Sequence, residues 1–206
     1  MNKKVIFGLI AAAMFWFIMF SPWTKEVFNF WGAMIFSTAF LTFFSIVSSK
    51  ADFREISVSK IKWVYIGIIS AAVLYVIFLA GNFFSNMLFD FSKHQVTNIY
   101  STKTQADKIF IGLALVLLIG PAEEIFWRGF IQHQFSKKIG GMGSLLLTTV
   151  IYALVHIWSF NFMLIMAALI CGFFWGWMFY KYKNIYPVVI SHAVWDLFIF
   201  IIIPIS

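Results

Sequence analysis

Glu123, Glu124 and Arg128 follow directly on the apolar run 109–120 and are followed by more apolar residues before Lys137. Each charged side chain inside a bilayer costs about 2.5–3.5 kcal/mol even on the lenient insertion scale, and a spanning helix has no structural need of them. Their spacing suggests a division of labour. Glu124 and Arg128 are four apart, share one helix face, and can form a bidentate ion pair. Glu123 lies about 100° round the helix from Glu124 and points elsewhere, free of the arginine. Three further ionisable residues fall in later apolar runs: His156, four after Tyr152, and the pair His192 and Asp196, also four apart. A carboxylate with histidines in a water-poor pocket can take a proton from water and so start a hydrolysis. The same set, Glu123, His156, His192 and Asp196, could instead ligate a zinc ion with water in the open position, although His-Glu-x-x-His is absent. Chains of buried Glu, His and Asp also carry protons in transporters.

The elements that must position these residues are membrane helices. Of 206 residues 62% are hydrophobic and 11% charged, where a soluble domain carries about 25% charged; mean hydropathy is +0.91. Seven stretches approach the roughly 20 residues needed to cross the hydrocarbon: 5–20, 27–48, 63–89, 108–135, 143–158, 160–180 and 185–203. The start resembles a signal peptide, but bulky Met and Phe and the Ser21-Pro22-Trp23 sequence do not make a cleavage site, so 5–20 is read as a retained span. The expectation is an all-α, multi-pass transmembrane bundle. Residues 1–107 would be supporting helices and 108–206 the catalytic core, with the active site among the last four spans. Residues 49–62 are expected to form a short interfacial helix and 90–107 the one long polar outer loop.

Charge sets the topology. Placing the amino terminus in the cytoplasm puts Lys3, Lys4, Lys50, Arg54, Lys60, Lys62, Lys137, Lys138, Lys181 and Lys183 inside, against Lys25, Lys93, Lys103 and Lys108 outside. That is the positive-inside pattern, and seven spans then leave the carboxyl terminus outside. The net charge of +7 is therefore topogenic; basic residues scattered between apolar segments do not make a nucleic-acid surface. Counted from the inner surface on straight helices, Glu123, His156 and Asp196 all lie roughly 20 Å deep, with His192 about one turn shallower. Three helices could thus bring four residues into one pocket.

In this order, Glu-Glu-x-x-x-Arg (Glu123, Glu124, Arg128), aromatic-x-x-x-His (Tyr152, His156) and His-x-x-x-Asp (His192, Asp196) resemble the motifs of the CAAX prenyl protease and bacteriocin-processing (CPBP, ABI) family of intramembrane proteases. The stretch from Gly172 through Gly176 to Pro187 and Ser191-His192 resembles the segment before that family's third motif. The likeness covers about residues 108–203. Tyr152 stands where phenylalanine is usual, and Asp196 where asparagine is common and aspartate also occurs. The resemblance implies peptide-bond hydrolysis, with Glu123 the base on a water that His156 helps to hold and His192 the oxyanion donor. An ionised Asp196 only accepts hydrogen bonds, so it would orient His192, or else stay protonated; Glu124 with Arg128 would be a structural clamp. Implied partners are membrane lipid and a peptide or lipidated, prenylated protein. No cofactor is the first expectation and zinc the alternative.

Plainer readings stand beside these. Glu124–Arg128 can be a purely structural pair, His192–Asp196 interhelical glue, and Gly172 with Gly176 a close-approach seam. His94 and His133, in or near loops, read as incidental. The single cysteine, Cys171, excludes an intrachain disulfide. A transporter or a non-catalytic membrane scaffold are the rival functions; paired broken helices or inverted repeats would favour the first, and none is visible.

Overall fold

The structure, a computed structural model, describes residues 2–49 and 60–205. Among them there is no strand. Asn2 caps the first helix by accepting from the Lys4 amide at 3.1 Å, and α1 (Lys3–Phe20), α2 (Phe30–Ser49) and α3 (Lys60–Leu88) follow as membrane-length segments. Most of the expected interfacial helix at 49–62 lies outside the described residues. The expected outer loop at 90–107 contains structure of its own: α4 (Ser92–Tyr100) and a 3₁₀ turn, Ser101–Gln105.

The next helical run, Lys108–Ser159, is 52 residues long and would span about 78 Å if straight. It folds back on itself instead. Gly140 has φ +74°, a backbone conformation open to glycine, and beyond it the chain returns so that Tyr152 meets Glu123, 29 residues earlier. The run thus supplies two crossings, α5 (Lys108–Ala114) and α6 (Gly120–Glu124) on the way in and most of α7 (His133–Leu154) on the way back. With α8 (Phe162–Tyr182) and α9 (Tyr186–Asp196), extended by a π-helical turn to Ile202, helical segments stand at all seven of the expected spans among the described residues.

The pattern of burial is that of a protein in lipid. Leu117 is 71% exposed and Phe36 64%, while Glu124 and Arg128 are both 0% exposed. Apolar surface gains nothing by leaving lipid for a helix interface, so close van der Waals contact and interhelical hydrogen bonds must hold the bundle. Both are visible at the helix that carries the acids. A Cβ on Gly120 would lie 3.3 Å from the Ala193 amide nitrogen, a tight contact that glycine relieves where α6 and α9 approach. Thr42 of α2 donates to the Ala122 carbonyl at 3.1 Å. Gly172 faces Tyr152 and Thr149 of α7, the close approach expected of that seam.

Candidate active site

Pro121 cannot donate a backbone hydrogen bond, and its ring would meet the carbonyl four residues back. The helix accommodates it by widening. Leu115–Ile119 is π-helical, with the Gly120 amide reaching the Leu115 carbonyl, five residues back. A second π segment, Ile125–Gln132, follows the acids, so Glu123 and Glu124 sit in one short α-helical turn between two widened ones. Such bulges occur mostly at functional positions. Asp107 anchors the start of this helix by accepting from the amides of Ile109 (2.8 Å) and Phe110 (3.2 Å).

The two acids have different surroundings. Oε1 of Glu124 receives Nη1 of Arg128 at 2.7 Å and Nδ1 of His192, also at 2.7 Å. Arg128 reaches on with Nη2 to the carbonyls of Gly172 (3.2 Å) and Cys171 (3.4 Å), tying α8 to the same point. Glu123 is turned the other way, as the 100° rotation requires, and its Oε2 accepts from the Tyr152 hydroxyl at 2.9 Å. With Tyr152, His156, His192 and Asp196 it lines a cavity of about 850 Å³.

The hydrogen bond that orients His192 differs from the expected one. Glu124 takes Nδ1, whereas Asp196 Oδ2 stands 3.5 Å from Nε2, too far for a well-formed bond. Trp175 stacks on the imidazole with centroids 3.7 Å apart and donates its indole N–H to Ser191, so the ring is held on its face as well as at its edge. Glu124 is therefore more than a clamp for its own helix: it joins Arg128 and His192 from two different crossings.

His156 has a partner that spacing in the sequence could not reveal. Trp16 of α1 donates its indole N–H to Nε2 at 3.0 Å. An indole only donates, so Nε2 is the acceptor, and Nδ1 carries the proton it directs at the Tyr152 carbonyl, 2.8 Å away. Trp16, Trp127, Tyr152 and His156 form a chain of edge-to-face rings. The only sequence hint was a tryptophan in the middle of a Met- and Phe-rich span. His94, read as incidental, lies on the cavity wall, as do Gln95 and Asn161, which are locked together by Asn161 donating to the Gln95 carbonyl at 2.8 Å.

These engagements bear on zinc. Both nitrogens of His156 are in use and Nδ1 of His192 is held by Glu124. Among the described residues no three His, Cys, Asp or Glu side chains gather as a cation site would require. The groups as arranged do not fit a tetrahedral metal site.

Neither a curated protein nor a solved structure matches this chain. Residues 105–198 match the model of the family described as type II CAAX prenyl endopeptidase Rce1-like, nearly the stretch over which the motifs ran. The carboxyl-terminal part of this multi-pass membrane protein, which carries both acids, His156, His192 and Asp196, is thus similar to the Rce1-like CAAX prenyl endopeptidases.

Proposed function

We propose that the chain is an intramembrane endopeptidase in which Glu123 is the general base. One observation carries this: two adjacent buried carboxylates, Glu124 engaged at Oε1 by Arg128 and His192, Glu123 facing the cavity with a single aimed donor, Tyr152. A water between Glu123 and the scissile carbonyl gives its proton to Glu123 as its oxygen attacks the carbon. The tetrahedral oxyanion accepts from Nε2 of a doubly protonated His192, the ring nitrogen left after Glu124 has claimed Nδ1. Glu123 then returns the proton to the leaving amine as the C–N bond breaks. Asp196, 3.5 Å from Nε2, holds that nitrogen's side of the ring until substrate arrives. His156 joins in holding the water when Trp16 gives up Nε2; as placed, it packs Tyr152 against Glu123. The substrate is a polypeptide segment at the membrane, with lipidated chains among the candidates.

The test is Glu123→Gln assayed on internally quenched peptides, farnesylated and unlipidated, in micelles. Removing a general base lowers the rate by about 10²–10⁴-fold, with unchanged thermal unfolding expected. Full activity of the variant would overturn the mechanism.

A further inference from the structure

We propose that a pocket between Lys103, Lys108 and the end of the last helix holds the phosphate of a net-anionic membrane phospholipid. The site is distinct from the cavity that contains Glu123 and stands whether or not the chain is a protease.

The last helix ends against the 3₁₀ turn Ser101–Gln105. Tyr100, just before that turn, donates to the Ile199 carbonyl at 3.0 Å and accepts from the Ile205 amide at 3.2 Å. Lys103, within it, donates from Nζ to the Phe200 carbonyl at 3.1 Å, and the same ammonium stands 4.5 Å over the Tyr100 ring. The third side is α5, whose Gly112 faces Leu197 and Ile201. Between these elements lies a pocket of about 280 Å³. Its charged side chains are Lys103 and Lys108, and its walls include Ile111, Phe200, Ile202 and Pro204. Phe200 also lines the larger cavity.

Two positive charges share one pocket that has no acid in its lining. Among the described residues neither lysine pairs with a carboxylate. Asp107, their neighbour in the chain, spends Oδ1 on the amides of Ile109 and Phe110. Burial and the charge of Lys108 both push the Lys103 pKa below its ordinary value, as befits ammonium groups held together without a counter-ion. An ammonium has three donors; the Phe200 carbonyl takes one from Lys103, and the others can meet phosphate oxygens in charge-assisted bonds.

The walls narrow the choice of anion. Lys108 begins a membrane-spanning run, which puts the pocket where headgroups meet hydrocarbon, and Ile109 and Ile202 beside it are exposed. A lipid phosphate carries acyl chains onto that apolar surface, whereas a free ion leaves it uncovered. A zwitterionic headgroup brings a second cation, for which the pocket has no acid. Basic pockets between membrane helices hold anionic headgroups for these reasons. Bound lipid would tie the 3₁₀ turn, α5 and the last helix together behind Phe200, and so brace that part of the larger cavity's wall.

The test follows thermal unfolding of the purified full chain in neutral detergent, with added dioleoylphosphatidylglycerol, dioleoylphosphatidylcholine or inorganic phosphate. The phosphatidylglycerol should raise the unfolding midpoint, and the other two should leave it where it was. Lys108→Gln, at an exposed side chain, should need roughly fivefold more phosphatidylglycerol for the same rise, the factor that one lysine near an anionic lipid corresponds to. Lys103→Gln should weaken the response likewise; if it does not fold, Lys108→Gln decides. Lys93→Gln, on α4 and outside the pocket, should respond as the unaltered chain does. No rise with phosphatidylglycerol, an equal rise with phosphatidylcholine, or an equal response of Lys108→Gln and Lys93→Gln overturns the proposal. A rise with inorganic phosphate that Lys108→Gln abolishes would mean a free-anion site and overturns the lipid as occupant.

Discussion

Glu124 Oε1 lies 2.7 Å from His192 Nδ1, and that contact makes a residue read as a helix clamp into the group that aims the proposed oxyanion donor. Because the same oxygen also receives Arg128, the ion pair and the histidine's orientation are one unit spanning two crossings, which Arg128 extends to α8 through the Gly172 carbonyl.

Arg128→Ala strands a fully buried carboxylate, and breaking a buried pair from one side costs on the order of 3–5 kcal/mol. Unfolding midpoints in detergent should fall sharply. The Glu124→Ala, Arg128→Ala double variant should recover part of that loss, a coupling that a double-mutant cycle measures. It should recover no activity, because His192 has then lost its acceptor.

Trp16→Phe keeps the ring that packs on Trp127 and removes only the N–H that reaches His156. Loss of one such hydrogen bond should lower stability by about 1 kcal/mol, while kcat should not fall, because Nε2 of His156 is then free to hold the water. Imidazole ¹⁵N shifts of His156 should report a weakened preference for the Nδ1–H tautomer. An unchanged spectrum would mean that Trp16 serves packing alone.

At Gly120 a Cβ would lie 3.3 Å from the Ala193 amide nitrogen of α9 and 3.1 Å from the Leu115 carbonyl of its own helical run, so a side chain needs α9 to give way by a few tenths of an ångström. Gly120→Val should cost about 1–3 kcal/mol as an overpacking change, with Gly120→Ala milder. Activity should fall further than stability does, because Ala193 neighbours His192 and the separation opens the bond to Glu124. Cleavage measured well below the unfolding midpoint distinguishes the two effects.

Prolonged treatment of purified protein with a chelator should leave peptide cleavage intact, since each proposed step uses side chains and water only. Elemental analysis for zinc on the same sample provides the check; stoichiometric metal whose removal abolishes activity would replace the mechanism with a metal-assisted one.

Membrane character, the seven crossings and the group Glu123, His156, His192 and Asp196 were legible in the sequence itself, because an ionisable residue in an apolar run is too costly to be there without a partner or a task. Helical periodicity also separated Glu123 from Glu124 correctly, a matter of local geometry alone. Tertiary structure decided what each residue touches. No spacing rule joins Trp16 to His156 across 140 positions, or shows that Glu124 rather than the nearer-in-sequence Asp196 takes Nδ1 of His192. Those pairings depend on which helices lie side by side, and small residues such as Gly120 and the reversal at Gly140 settle that through contacts between elements far apart in the chain. The aromatic contacts of Phe130 with Phe44 and Phe126 were hidden for the same reason: the first exists only once α2 and the acid-bearing helix have packed together.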